Sequence, residues 1–120
     1  MNPIIPVMAG GALGAALRYL VSLAFAGRNG FPYATLAVNL LGGFAMGVLA
    51  ALVLRGVASE SLRLFVGVGI FGGFTTFSAF SLESFQMIER GQFAVAGGYA
   101  IASVIGSIAT LALGFAVVRG

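Results

Sequence analysis

No cysteine, histidine, lysine or aspartate occurs anywhere in the 120 residues. Without cysteine there is no disulfide framework and no thiolate site. Without histidine as well, the common ligands of zinc, copper and haem are missing, which leaves a redox or metalloenzyme role almost nothing to use. Charge is equally scarce. Six Arg and three Glu make up the 8% of charged residues, and they fall at positions 18, 28, 55, 60, 63, 83, 89, 90 and 119. A net charge of +3 would point a water-soluble chain towards nucleic acid, but arginines set singly near helix ends form no basic patch, so nucleic acid is excluded as a partner.

What fills the chain instead is apolar. Hydrophobic residues reach 60%, which does not fit a surface facing water. Residues 29–54 run for 26 positions without a charge, residues 64–82 for 19 and residues 91–118 for 28, against the roughly 20 apolar residues that cross a hydrocarbon core. A fourth stretch, 3–25, is interrupted only by Arg18, which sits close enough to one end to snorkel towards the headgroups. The sequence predicts an all-α membrane protein in one domain, with four transmembrane helices at about 3–25, 33–54, 62–87 and 94–118. The start has no basic segment ahead of its apolar run and more spans follow it, so the first helix reads as one that stays rather than a cleaved signal.

The loops between these helices have room only for turns, which puts the function inside the membrane. Orientation is usually set by Arg and Lys in short loops. Here one face carries Arg55, Arg63 and Arg119, and the other carries Arg28 and Arg90 with Arg18 nearby, a bias close to nil. Such a chain can insert both ways, and the two orientations can pair as an antiparallel homodimer; a single orientation decided by weak cues is the alternative.

Glycine is the counterweight to the missing charges: 19 residues, about twice average usage. Gly10 and Gly14, Gly43 and Gly47, and Gly69 and Gly73 are each four apart, and Gly98, Ala102, Gly106, Thr110 and Gly114 continue the spacing on the last helix. Apolar contact alone does not drive helices together in lipid, whereas small residues on one face let backbones approach, so a tightly packed bundle is expected.

The segment Gly72-Gly73-Phe74-Thr75-Thr76-Phe77-Ser78-Ala79-Phe80-Ser81 lies near the middle of the third helix. Paired glycines followed by Thr-Thr favour a break there, and the freed backbone groups cannot stay unpaired in hydrocarbon. Either they bind an ion, or Thr hydroxyls and neighbouring helices mend the kink. Phe77 and Phe80 share a face beyond that point; rings presented edge-on can line a path for a small anion, and equally can serve as packing residues. Asn39 either bonds a neighbouring helix or turns its two N–H donors into a cavity. Tyr99, Ser103 and Ser107 repeat every four residues, giving either the hydroxyl file of a polar pathway or interhelical glue. Arg18 and Glu83 are the charges set well inside helices; an Arg near a pore mouth concentrates anions, while Glu83 suits a hydroxyl or Arg partner, and a salt bridge between the two is the simpler alternative.

Taken together, Gly10-Gly11-x-x-Gly14-x-x-x-Arg18-Tyr19, Thr35-x-x-Val38-Asn39-x-x-Gly42-Gly43 and the Gly72 to Ser81 segment followed by Glu83 resemble the small bacterial fluoride channels, the Fluc or CrcB family. The resemblance covers the whole chain. It implies an antiparallel, dual-topology homodimer in the bacterial inner membrane, with two pores through which fluoride leaves the cell passively. It also implies a structural sodium ion at the dimer centre, held by backbone carbonyls at Gly72 and Thr75. By the same resemblance Phe77 and Phe80 line the fluoride path, Asn39 donates beside them, Tyr99, Ser103 and Ser107 form the polar track, Thr76 and Ser78 add hydroxyls, and Arg18 sits in the entry vestibule. The rival reading is a small dual-topology, proton-coupled multidrug exporter. That mechanism needs a carboxylate near the centre of a helix, usually the first, and the first helix here has neither Asp nor Glu.

Overall fold

The structure, a computed structural model, describes residues 2–26 and 31–119; Arg28, one of the charges weighed for orientation, lies outside them. Six α-helices and one π-helix follow in order: α1 (Ile4–Ala24), α2 (Tyr33–Leu54), α3 (Glu60–Leu62), the π-helix Arg63–Phe71, α4 (Gly72–Phe74), α5 (Ser78–Glu89) and α6 (Phe93–Arg119). Four stretches, Ile4–Ala24, Tyr33–Leu54, Glu60–Glu89 and Phe93–Arg119, are long and apolar enough to cross a bilayer. The fold is all-helical with four membrane-spanning-capable segments, in agreement with the uncharged runs.

The turns between spans are closed by the chain's own chemistry. After α2, the Gly56 N–H bonds Val53 O at 3.0 Å and the Val57 N–H bonds Leu52 O at 3.0 Å. After α5, the Gly91 N–H bonds Ile88 O at 2.9 Å and the Gln92 N–H bonds Met87 O at 2.8 Å. Both are Schellman closures, and both need the left-handed backbone that Gly56 and Gly91 adopt at φ 76°. Ser59 then starts the third span, its hydroxyl accepting the Leu62 N–H at 3.1 Å.

Two seams of bare backbone hold the spans together. On α1, a Cβ at Gly10 would run into Phe65 O, and one at Gly14 into Ile70 O. Gly10 and Gly14 are about one α-turn apart, while Phe65 and Ile70 are five residues apart, the hydrogen-bond span of a π-helix. The wider winding of Arg63–Phe71, which no sequence signal announced, thus sets successive turns against successive glycines. The second seam joins α2 to α6: a Cβ at Gly47 would strike Leu111 O, one at Gly114 would strike Phe44 O, and one at Gly43 would lie 2.9 Å from Ser107 O. These contacts, rather than a large apolar core, make the bundle. Val38, Leu49, Ala51, Met87, Ala96 and Tyr99 are the buried hydrophobic side chains among the described residues, and long apolar residues such as Leu20, Leu41 and Ile105 point outwards.

Candidate functional site

Regular winding lapses in the third span after Phe74. Thr75 is extended at φ −80°, ψ 158°, and α5 begins only at Ser78. The residues around the lapse divert hydrogen bonds away from the main chain. The Thr76 N–H, which would close a helical turn on Gly72 O, instead donates to Asn39 Oδ1 at 3.0 Å. Asn39 returns the bond, its Nδ2 donating to Thr76 O at 3.1 Å. The Ala79 N–H, due to reach Thr75 O, donates to Thr76 Oγ1 at 3.2 Å, which caps the start of α5. Thr75 Oγ1 donates back to Phe71 O at 2.9 Å. Thr hydroxyls therefore mend part of the lapse, while the carbonyls of Gly72 and Thr75 lose their usual i+4 donors.

Arg18 approaches from α1, and its Nε donates to Gly73 O at 3.2 Å. Glu83 is not its partner. Glu83 accepts from Thr35 Oγ1 at Oε2 and from Tyr99 Oη at Oε1, both at 2.9 Å, which ties α2 and α6 to α5. Thr35 and Tyr99 are both buried.

A groove of about 380 Å³ opens beside the lapse, between α2, the third span and α6. Asn39, Thr75, Thr76, Phe77, Phe80, Ser103 and Ser107 line it, with Gly42, Gly43 and apolar residues including Met46 and Phe71, and no charged side chain is among them. Phe77 and Phe80 meet at 5.6 Å between ring centroids, tilted by 43°. The Ser103 hydroxyl is buried with no hydrogen-bond partner among the described residues. Seven of the eleven residues singled out from the sequence thus come together on one surface.

The other four lie elsewhere. Tyr99 is fully buried behind the groove, its ring 5.1 Å from that of Phe80 and its hydroxyl held by Glu83. Ser78 stands one step off the lining, its hydroxyl 3.4 Å from Thr76 Oγ1. Arg18 and Gly72 lie outside the lining, Arg18 against the carbonyl of Gly73. Sequence reasoning gave Thr35 no role, although it lies one turn before Asn39 on the same face of α2, a spacing that could have marked it. Phe31 was also passed over; its ring stands edge-on to Tyr99 at 5.3 Å and meets Tyr33 at 4.9 Å, so a file of rings runs from Phe77 through Phe80, Tyr99 and Phe31 to the head of α2.

Chemically, the groove offers a carboxamide, hydroxyls and aromatic rings on a largely apolar surface, with no acid among them. Groups of these kinds interact with an anion through partial rather than full positive charge.

The family model described as CrcB-like protein, Camphor Resistance (CrcB), matches residues 5–115. A relative from Sphingopyxis alaskensis, named fluoride-specific ion channel FluC, is 50% identical over 122 residues, covering 99% of this chain and 97% of its own. Relatives of the same name from Mesorhizobium japonicum and a Caulobacter species are 48% and 52% identical over 99% of this chain, covering 98% and 96% of theirs. The segments that build the groove fall within a match that runs almost end to end, and this chain belongs to the CrcB-like family.

Proposed function

We propose that the chain is a fluoride-selective, passive channel of the bacterial inner membrane, built as an antiparallel homodimer with two pores, and not an enzyme. The observation that carries this reading is the reciprocal pair of bonds between Asn39 and the main chain of Thr76, which fixes non-helical backbone beside an uncharged groove whose few polar groups are a carboxamide and hydroxyls. Fluoride is small and tightly hydrated, so a selective path replaces its water with closely spaced donors and positive ring edges. Asn39 has one N–H left after its bond to Thr76, and Ser103, Ser107, Phe77 and Phe80 stand along the same surface. The relatives' names, carried by chains about half identical over nearly their full length, support the choice of ion.

Two further features belong to the proposal. The groove is open on one side and Phe77 is 76% exposed in the single chain, so a second copy is needed to enclose a route; the nearly balanced arginines suit a partner inserted the opposite way. A sodium ion at the dimer centre fits the carbonyls of Gly72 and Thr75, since hard oxygen atoms released from helix pairing are what a small monovalent cation requires, and the amides that would have claimed them are turned to Asn39 and Thr76. A sodium ion there would be held by the carbonyls of Gly72 and Thr75 and would supply positive charge to the dimer centre.

Proteoliposomes loaded with fluoride or chloride test the proposal. Rapid fluoride efflux with chloride retained is the expected result, and comparable rates for both ions, or no flux, would sink it. Glutaraldehyde is expected to trap a dimer, and purification with sodium replaced by a bulky organic cation is expected to weaken that dimer.

A further inference from the structure

At the end of the bundle where α2 and α6 finish, a cavity of about 290 Å³ is lined by Ala51, Leu54, Arg55, Phe115 and Arg119. Its lining joins apolar side chains to two cations, with no acid among the lining residues. Arg55 spends one bond inside the protein, Nη1 donating to Val118 O at 2.8 Å, and keeps its remaining N–H groups. Arg119 makes no hydrogen bond or ion pair among the described residues, and both arginines are exposed. The other arginines near helix ends differ. Arg63 is held by Glu60 through two bonds of 2.7 and 3.0 Å, and Arg90 donates to Gln92 Oε1 at 3.2 Å.

The cavity lies at the shared end of two helices long and apolar enough to cross a bilayer, the depth expected of lipid headgroups, and Leu54 in its wall is 76% exposed. An inorganic anion has no use for such walls, whereas the phosphodiester of a phospholipid sits at that depth with its acyl chains directed along the helices. We propose that Arg55 and Arg119 bind the phosphate of an anionic phospholipid, with the first acyl segments against Leu54 and Phe115. The site stands apart from the conduction groove and does not depend on which ion passes there. Its ligand is a membrane lipid with net negative charge rather than a zwitterionic one, because two guanidinium groups attract a phosphate more strongly when its charge is not already balanced by an ammonium in the same headgroup.

Native mass spectrometry of the detergent-purified protein, with phosphatidylglycerol or phosphatidylcholine added at equal concentration, tests this. The wild-type chain is expected to retain phosphatidylglycerol preferentially. Arg119→Gln, which breaks no hydrogen bond or ion pair among the described residues, is expected to lower that retention about fivefold, as one cation at a membrane surface implies. Arg63→Gln, which removes an arginine already neutralised by Glu60, is expected to leave it unchanged. Equal retention of the two lipids, or undiminished phosphatidylglycerol binding by Arg119→Gln, would overturn the proposal. Displacement of the lipid by millimolar inorganic phosphate would overturn it too, by showing a plain anion site without a lipid requirement.

Discussion

Asn39 is the residue on which the groove turns, because one side chain satisfies both the N–H and the C=O of Thr76. Backbone left unpaired in an apolar setting costs several kcal/mol per group, so a non-helical segment persists at that depth only when something supplies both partners. Asp at this position accepts but cannot donate when ionised, and it sets a negative charge in the lining. Asn39→Asp is therefore expected to slow fluoride flux steeply in proteoliposomes, and Phe80→Ile to slow it by removing a ring edge, with the crosslinked dimer still formed; unchanged rates would take both residues off the path. Glu83 depends on its neighbours in a different way. Tyr99→Phe and Thr35→Val each remove one of its two hydroxyl donors, at about 1 kcal/mol apiece in a denaturant titration, while the double variant leaves the carboxyl group bare and is expected to lose more than the sum. A strictly additive loss would show that water or another group already serves Glu83.

The helices pack by backbone contact, so glycine positions differ sharply in what they tolerate. On α1, a Cβ at Gly14 would be driven into Ile70 O, while one at Gly11 finds nothing nearer than Gly69 O at 4.0 Å. Gly14→Ala is expected to destabilise by about 1–3 kcal/mol and loosen α1 from the third span, whereas Gly11→Ala stays within about 0.5 kcal/mol. Unfolding both variants in detergent checks the contrast, and equal losses would refute the seam. The four-residue glycine spacing was legible as a packing device, since small residues one turn apart have little other use in lipid. The π-winding of Arg63–Phe71 was not legible. It sets the carbonyls of Phe65 and Ile70 against the glycine spacing that α1 presents, a relation between two segments more than fifty residues apart that no local pattern records.

At the scale of the whole molecule, the open groove and the nearly balanced arginines lead to the same expectation, two copies inserted oppositely. The absence of cysteine makes a direct measurement simple. Val57, 70% exposed in the turn after α2, is a suitable position for a single thiol. In sealed vesicles, Val57→Cys is expected to react with an impermeant maleimide to about half completion, and fully once the membrane is opened. Reaction to completion or not at all from the outside would mean one orientation. What the sequence determined unaided is the medium and the number of spans: runs free of charge, long enough to cross hydrocarbon, leave no other solvent in which so few polar groups suffice. It also marked the polar residues of the groove lining, because polar side chains are rare enough in such a chain to draw notice one by one. Tertiary structure alone decided which of them share a surface. Tyr99 and Ser103 lie one turn apart on α6, yet one hydroxyl is held by Glu83 and the other, in the groove, is buried with no partner among the described residues, since hydrogen-bond partners depend on what a neighbouring helix brings within 3 Å.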